Sequence, residues 1–195
     1  MITIMSDLVA RLNSISASTK SFDQGGSVFH QGDPIHSLYV VMSGTVHLVR
    51  HQADGAATVL QRCTAGHILA EASVYSDTYH CDAVSVSSVT VSIVPVAEIK
   101  RLLATDIAFT TLWAVHLARE LQATRKRAEI VSLRTVKARL DAWLAWNEGV
   151  LPPKGAWKQL ADDIGISPEA LYREVARRRV EVDTKVGRTF PQDTP

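Results

Sequence analysis

Cysteine is scarce in this chain of 195 residues: Cys63 and Cys81 are the only two. Two thiols make no disulfide framework, and in a reducing compartment they stay free. Long apolar runs are missing as well. None approaches the roughly 20 residues that span a bilayer, and Met1-Ile2-Thr3-Ile4-Met5 lacks the basic start and cleavage site of a signal peptide, so a cytoplasmic protein is expected. Net charge is small too, with 21 Lys and Arg against 20 Asp and Glu leaving +1. That near-balance hides a polarity: residues 1–104 sum to −2 and residues 105–195 to +3. The C-terminal excess is compatible with a phosphate-facing end, but local clusters rather than totals decide such binding. The most pointed absence is local. No Lys or Arg occurs from Cys63 through Ile99.

Against these absences stand three kinds of periodicity. Ile4, Leu8, Leu12 and Ile15 recur at helical spacing within residues 2–19. From Phe22 to Val96 the pattern changes to short runs, Ser27 to His30, Ser37 to Met42, Thr45 to Arg50, Thr58 to Cys63 and Ala83 to Val94, separated by glycine-containing turns. Asp54-Gly55 reads as a hairpin turn, and many short strands at even spacing imply a barrel or jelly roll. From Thr105 onward the period is helical again. Ile107, Ala114, Leu121 and Ala128 recur every seven residues, each followed after three by Thr110, Leu117, Thr124 and Val131. Such a seam of apolar and small residues pairs with a symmetry mate or packs on the barrel, and pairing is the expectation. Ile107, Ala114, Leu117, Leu121 and Thr124 are its interface candidates. Leu133, Val136, Leu140, Trp143 and Leu144 form a further helical face that Asn147-Glu148-Gly149 ends, and Leu151-Pro152-Pro153-Lys154-Gly155 is a stiff connector.

Residues 157–179 carry the clearest chemistry. Leu160, Ala161 and Ile164 share a helical face, Gly165 permits a left-handed turn, and Ser167-Pro168 supplies an N-cap followed by a proline at the first helical position. A second helix starting there turns Leu171 and Val175 inward and leaves Glu169, Tyr172, Arg173 and the run Arg177 to Arg179 outward. This is a helix-turn-helix able to enter a major groove, although an ordinary helical hairpin with a solvated arginine face has the same outline. Ser167, Glu169, Ala170, Tyr172, Arg173 and Arg177 are the DNA-contact candidates. Glu174 stands where such motifs bury an aliphatic residue, so the packing is expected to slip to Val175. Val180 to Phe190 alternates weakly around Lys185-Val186-Gly187-Arg188, as a small basic wing or a frayed tail.

The strand region also gathers Cys63, His67, Glu71, His80, Cys81 and Asp82. Soft thiolate with imidazole suits copper or zinc, and an exposed thiolate suits a redox signal. His67, His80 and Cys81 are the metal candidates, without the close repeated spacing of a structural zinc site, and His80 and Cys81 point to opposite faces of a strand. A hydrogen-bonded histidine and an inert buried cysteine is the plainer reading. An enzyme is the competing class. However, His47 and His51 flank Arg50 without the ligand pattern of a metal-dependent barrel, and no nucleophile elbow or phosphate loop occurs.

The order of parts resembles the cyclic-AMP receptor protein and FNR family of bacterial transcription regulators over essentially the whole chain. The resemblance is carried by Gly32-Asp33, by Leu38-Tyr39-Val40-Val41-Met42-Ser43-Gly44-Thr45-Val46, by Gly66 with Ala70-Glu71, and by Ile166-Ser167-Pro168-Glu169-Ala170-Leu171-Tyr172-Arg173. It implies an α+β fold in which residues 1–104 form a cyclic-nucleotide-binding-like β-barrel of jelly-roll type that senses an effector. Residues 105–131 would be a dimerisation helix and residues 132–195 a winged helix-turn-helix. The implied partners are double-stranded DNA with a palindromic operator, a second copy of the chain, RNA polymerase, and an effector or metal that the sequence does not identify.

In such regulators an Arg-Glu-x-x-x-Arg pattern follows the cap serine. Here Glu169 and Arg173 match, and Pro168 replaces the first arginine. The resemblance assigns a cytosine amino group to Glu169 and a guanine to Arg173, with Tyr172 as an additional contact. Members that bind cyclic nucleotides use a Gly-Glu-Leu turn and, some ten residues on, an arginine that grips the phosphate. Here the turn is Ala70-Glu71-Ala72 and no cation follows, so cyclic AMP or GMP is not expected and the effector-pocket candidates are Glu71, His80, Cys81 and Asp82. A metal- or redox-responsive regulator using His80 and Cys81 is the alternative. Two cysteines do not supply an iron–sulfur ligand set. Haem through one of the seven histidines stays open, and no cofactor is assigned.

Overall fold

The computed structural model describes residues 2–52 and 55–187. It divides into two compact units, residues 1–117 and residues 118–195, and the division falls inside one long helix. In the first unit, α1 (Ile2–Ser14) buries Leu8 and Leu12, and Ile15 packs beside them just beyond the helix. The side chain of Ile4 lies outside those described.

Eight strands follow in two antiparallel four-stranded sheets: β1 (Ser18–Phe22), β2 (Ser27–Phe29), β3 (Ser37–Ser43), β4 (Thr45–His51), β5 (Ala57–Thr64), β6 (Ile68–Leu69), β7 (Asp82–Ser85) and β8 (Val89–Pro95). One sheet runs β1-β8-β3-β6 and the other β2-β7-β4-β5. The crossovers give a jelly roll whose inner faces meet through Leu38, Val40, Val46, Cys63, Val91 and Val94, each fully buried. Register shifts between Val41 and Ser43 and between Leu48 and Val49 break strict alternation, so Val40 and Val41, and Leu48 and Val49, are buried in succession. Gly44 makes the tight β3–β4 connection at φ 82°, where a Cβ would stand 2.2 Å from the Ser88 carbonyl oxygen. No other residue type fits there without displacing backbone.

Two strands were not expected, and one expected strand is two. Ser18–Phe22 forms edge strand β1 on β8, and Ile68–Leu69 pairs with β3. The run from Ala83 to Val94 splits at Val86–Ser88, because Ser85 turns its hydroxyl onto the carbonyls of Asp23 and Gly26 and the chain then crosses to the other sheet. β4 and β5 do pair as a hairpin; Asp54 of the expected turn lies outside the described residues.

Behind the strands come α2 (Val96–Thr105) and α3 (Ile107–Ser132). The Asp106 carboxylate starts α3, accepting the Phe109 amide at 2.9 Å and pairing with Arg11. Those bonds hold its carboxyl below the usual carboxylate range, the Phe109 amide being the larger cause.

In the second unit, α4 (Val136–Trp146) begins at Thr135, whose hydroxyl accepts the Ala138 amide, and ends at Glu148 and Gly149, both in the left-handed region. Leu133 precedes α4 rather than sharing its face. Then come α5 (Trp157–Asp163) and α6 (Pro168–Gly187), with a core of Ile130, Leu140, Leu160, Ile164, Leu171 and Val175. The expected wing is not formed over Val180–Gly187, where the backbone continues α6; Arg188 to Phe190 lie outside the described residues.

Candidate nucleic-acid interface and effector cassette

α5 and α6 meet at a turn whose chemistry is local. Gly165 takes φ 66°, the Ser167 hydroxyl accepts the Ala170 amide at 3.2 Å, and Pro168 opens α6. Leu160, Ala161 and Ile164 of the first helix and Leu171 and Val175 of the second are at most 3% exposed. The outer face of α6 then carries Glu169, Tyr172 and Arg173, all exposed, with Ala170 half-buried between them. The Glu169 carboxyl is held below its ordinary value by its own backbone amide and the Ser167 hydroxyl. Tyr172 is backed by Trp157, ring centroids 4.9 Å apart, and Trp157 is fixed by its indole N–H donating to the Pro152 carbonyl.

Two networks that sequence reasoning missed lock this unit. Arg139 of α4 spreads its guanidinium over four backbone carbonyls: Leu133 (2.7 Å), Val131 (2.8 Å), Gly165 (2.6 Å) and Ile164 (3.3 Å). It thereby caps the end of α3 and holds the turn before α6. Glu174, 9% exposed, receives Arg177 in a two-pronged pair (Nη2–Oε1 2.7 Å, Nε–Oε2 3.0 Å) and the Nε of Arg178 at 2.8 Å. Arg178 goes on to Asp141 and the Lys137 carbonyl of α4. Arg177, expected outward as a DNA contact, is thus turned onto Glu174. Val175 is buried as expected, but Glu174 is buried beside it, which a carboxylate tolerates only because two guanidiniums compensate it.

Along α3 two faces differ. Phe109, Trp113 and His116 are buried in the first unit, at 0, 3 and 3% exposure. The heptad residues Ile107, Ala114, Leu117, Leu121 and Thr124 are exposed, Ile107 by 86% and Leu121 by 50%. The aromatic residues between the heptad positions, not the heptad seam, pack on the barrel.

The effector-pocket candidates cluster at the β6–β7 connection. Ala70 stands in the left-handed region at φ 68° and opens a 3-10 turn, Glu71–Ser73, in which Glu71 is buried. The Ser73 hydroxyl and His80 Nδ1 are 2.8 Å apart, and burial depresses the His80 pKa, with Arg50 adding to the effect. Arg50 is the residue missed here: it reaches across from β4 to donate to the His80 carbonyl at 2.5 Å. Asp82 accepts the Gln31 amide at 2.9 Å and lies 3.4 Å from His30 Nδ1 and 3.7 Å from His51 Nε2. His67 turns away, its Nδ1 engaged with Thr64. Cys63 and Cys81 are both buried and form no disulfide, and burial pushes the Cys81 thiol up to about 11. That agrees with the plainer reading of an inert buried cysteine and disfavours the alternative of an exposed redox thiolate, because burial disfavours the thiolate. Among the described residues, no three His, Cys, Asp or Glu side chains are arranged to hold a metal ion, so His67, His80 and Cys81 are not brought together as ligands.

Residues 19–106 match the family model of the cyclic nucleotide-binding domain. Among solved structures, the chain is similar to the c-di-GMP-responsive global regulator CLP of Xanthomonas campestris, at 21% identity over 90% of this chain and 92% of that one, with a TM-score of 0.63. FixK2 of Bradyrhizobium japonicum gives 15% identity over 84% and 85%, with a TM-score of 0.66. A CRP-family transcriptional regulator of Thermus thermophilus gives 18% identity over 83% and 85%, with a TM-score of 0.57. Curated protein sequences give no match. By fold, the chain is similar to these transcriptional regulators, and residues 19–106 form its cyclic nucleotide-binding domain. The Xanthomonas and Thermus neighbours are regulators. In the turn after Ala70, Glu71 is buried, Asp82 is partly buried, and Arg50 donates to the His80 carbonyl.

Proposed function

We propose that this chain is a homodimeric, sequence-specific DNA-binding transcription regulator. The carrying observation is the outer face of α6, where Glu169, Tyr172 and Arg173 project beside half-buried Ala170 while Leu171 and Val175 anchor the helix from behind. Placed in a major groove, Arg173 forks onto guanine O6 and N7, Glu169 accepts from a cytosine amino group, and small Ala170 allows close approach. Ser167, through its cap, sets where the helix begins. Pro168 brings no donor, so the half-site differs from those read with an additional arginine.

The exposed seam of Ile107, Ala114, Leu117, Leu121 and Thr124 supports pairing with a second copy through residues 105–131, which sets two reading helices about one DNA turn apart on a palindromic operator. Residues 1–104 act as the sensor and residues 132–195 as the reader. The effector is not cyclic AMP or GMP, whose phosphate would face the carboxylates of Glu71 and Asp82. RNA polymerase is the further partner through which bound regulator acts.

The test is operator binding. Arg173→Ala should cost about 1–3 kcal/mol per half-site with the dimer intact, and unchanged affinity would remove Arg173 from the mechanism. Ile107→Glu with Leu121→Glu should give monomers by sedimentation; a persisting dimer refutes the seam.

A further inference from the structure

The end of the long helix and the turn before α6 meet on one side chain. α3 stops at Ser132 and α4 starts at Val136, so the covalent link between them is only Leu133, Arg134 and Thr135. Arg139 spans that link. It donates to the Val131 carbonyl in the last turn of α3 (2.8 Å) and to Leu133 in the link (2.7 Å), and also to Ile164 (3.3 Å) and Gly165 (2.6 Å) just beyond α5. One cation thus serves the carbonyl ends of two helices, where the helix dipoles favour positive charge. A second contact is steric. A Cβ added at Gly165 would stand 3.3 Å from Val131 Cγ1 and 3.2 Å from Arg139 Nη1, so the last turn of α3 lies directly against the turn that precedes α6. Val131 also belongs to the heptad seam, and Ile130 beside it packs into the core with Leu140, Leu160 and Leu171. All of these residues lie within the second unit.

Resting on the homodimeric DNA-binding reading, we infer that Arg139 is a positioning residue that sets half-site spacing. By clamping the Gly165 turn onto the end of α3, it makes each α6 move with the paired α3 helices, so the dimer accepts one separation of half-sites and rejects its neighbours. One base pair more or less displaces a half-site by about 3.4 Å along the duplex and rotates it by about 35°. A loosely jointed reader follows that change, whereas a clamped one loses base contacts.

Full-length protein is titrated by fluorescence anisotropy against duplexes carrying the two inverted half-sites that the wild type recovers from a random pool. The half-sites are placed at the recovered separation and at one base pair less and more. Partial unfolding weakens binding to all three duplexes alike and cancels from the ratio of their dissociation constants. Wild type should favour the recovered separation by about tenfold or more, and Arg139→Met should lower that ratio by at least about fivefold while sedimentation still shows a dimer. Leu160→Ala hollows the same core but leaves every Arg139 donor in place, so it should lose stability and keep the wild-type ratio. The inference is overturned if the wild type binds all three separations equally, if Arg139→Met keeps the wild-type ratio, or if Leu160→Ala lowers it as much. Should Arg139→Met fail to fold, Arg139→Lys takes its place: one ammonium cannot serve both sides of the junction, so the ratio should again fall, and an unchanged ratio is equally decisive. Wild-type protein that binds no duplex, or only single half-sites, would overturn the dimeric regulator reading itself, a result distinct from these.

Discussion

Replacing Arg139 by methionine keeps the bulk and helix propensity of the side chain while removing every donor. The guanidinium serves four carbonyls, at Val131, Leu133, Ile164 and Gly165. Hydrogen bonds from a charged donor contribute about 1.5–3 kcal/mol each when no substitute exists, but water replaces the donor at exposed Val131 and Gly165 and, in part, at Leu133. Ile164 is 0% exposed, and its carbonyl carries most of the desolvation cost, about 1–3 kcal/mol. The expected destabilisation is therefore about 2–4 kcal/mol. It should appear in urea unfolding followed by tryptophan fluorescence, for which Trp143, Trp146 and Trp157 report on this unit. Arg139→Lys should recover only a minor part, since one ammonium cannot span carbonyls before α4 and after α5. A loss below about 0.5 kcal/mol for Arg139→Met would refute the view that this clamp holds the turn preceding α6.

Further outcomes follow from the same coordinates. Gly44→Ala combines left-handed strain with a 2.2 Å approach to the Ser88 carbonyl oxygen and should cost roughly 2–5 kcal/mol; a melting temperature within a degree or two of wild type would contradict the β3–β4 geometry. Cys63 and Cys81, both buried, should resist an aromatic disulfide reagent at mildly alkaline pH until the protein unfolds, and reaction at the rate of free cysteine would restore the redox reading. Glu174 and Asp106 have depressed carboxyl pKa values, so their contribution is present above the unfolded carboxylate pKa of about 4 and is lost as pH falls through the lower folded values. Thermal melts should decline in that acid window, and Glu174→Gln should flatten the decline.

What the sequence could show was whatever is written in spacing. The cap at Ser167, the glycine at 165 and the inward pair Leu171 and Val175 lie within one short segment, and local chemistry alone determines them. β1 escaped because Ser18-Thr19-Lys20-Ser21-Phe22 has one apolar residue and exists through its pairing with β8. Arg139 escaped for a different reason: its acceptors are backbone carbonyls from 8 residues before to 26 residues after it, which no side-chain pattern encodes. Arg50 likewise reaches the cassette from 30 residues away, so counting cations between Cys63 and Ile99 missed the one that arrives from a neighbouring strand. The alternation after Val180 was read at a period of two, and the helix that Pro168 starts carries its backbone through it.

Selection of bound duplexes from a random pool by the full-length protein, followed by sequencing, bears most directly on the central claim. The expected outcome is enrichment of two inverted half-sites centred about one helical turn apart, with the enrichment at one guanine position lost for Arg173→Ala. A pool that stays random, or one whose enriched sequence is indifferent to Arg173, would contradict α6 as the reading element.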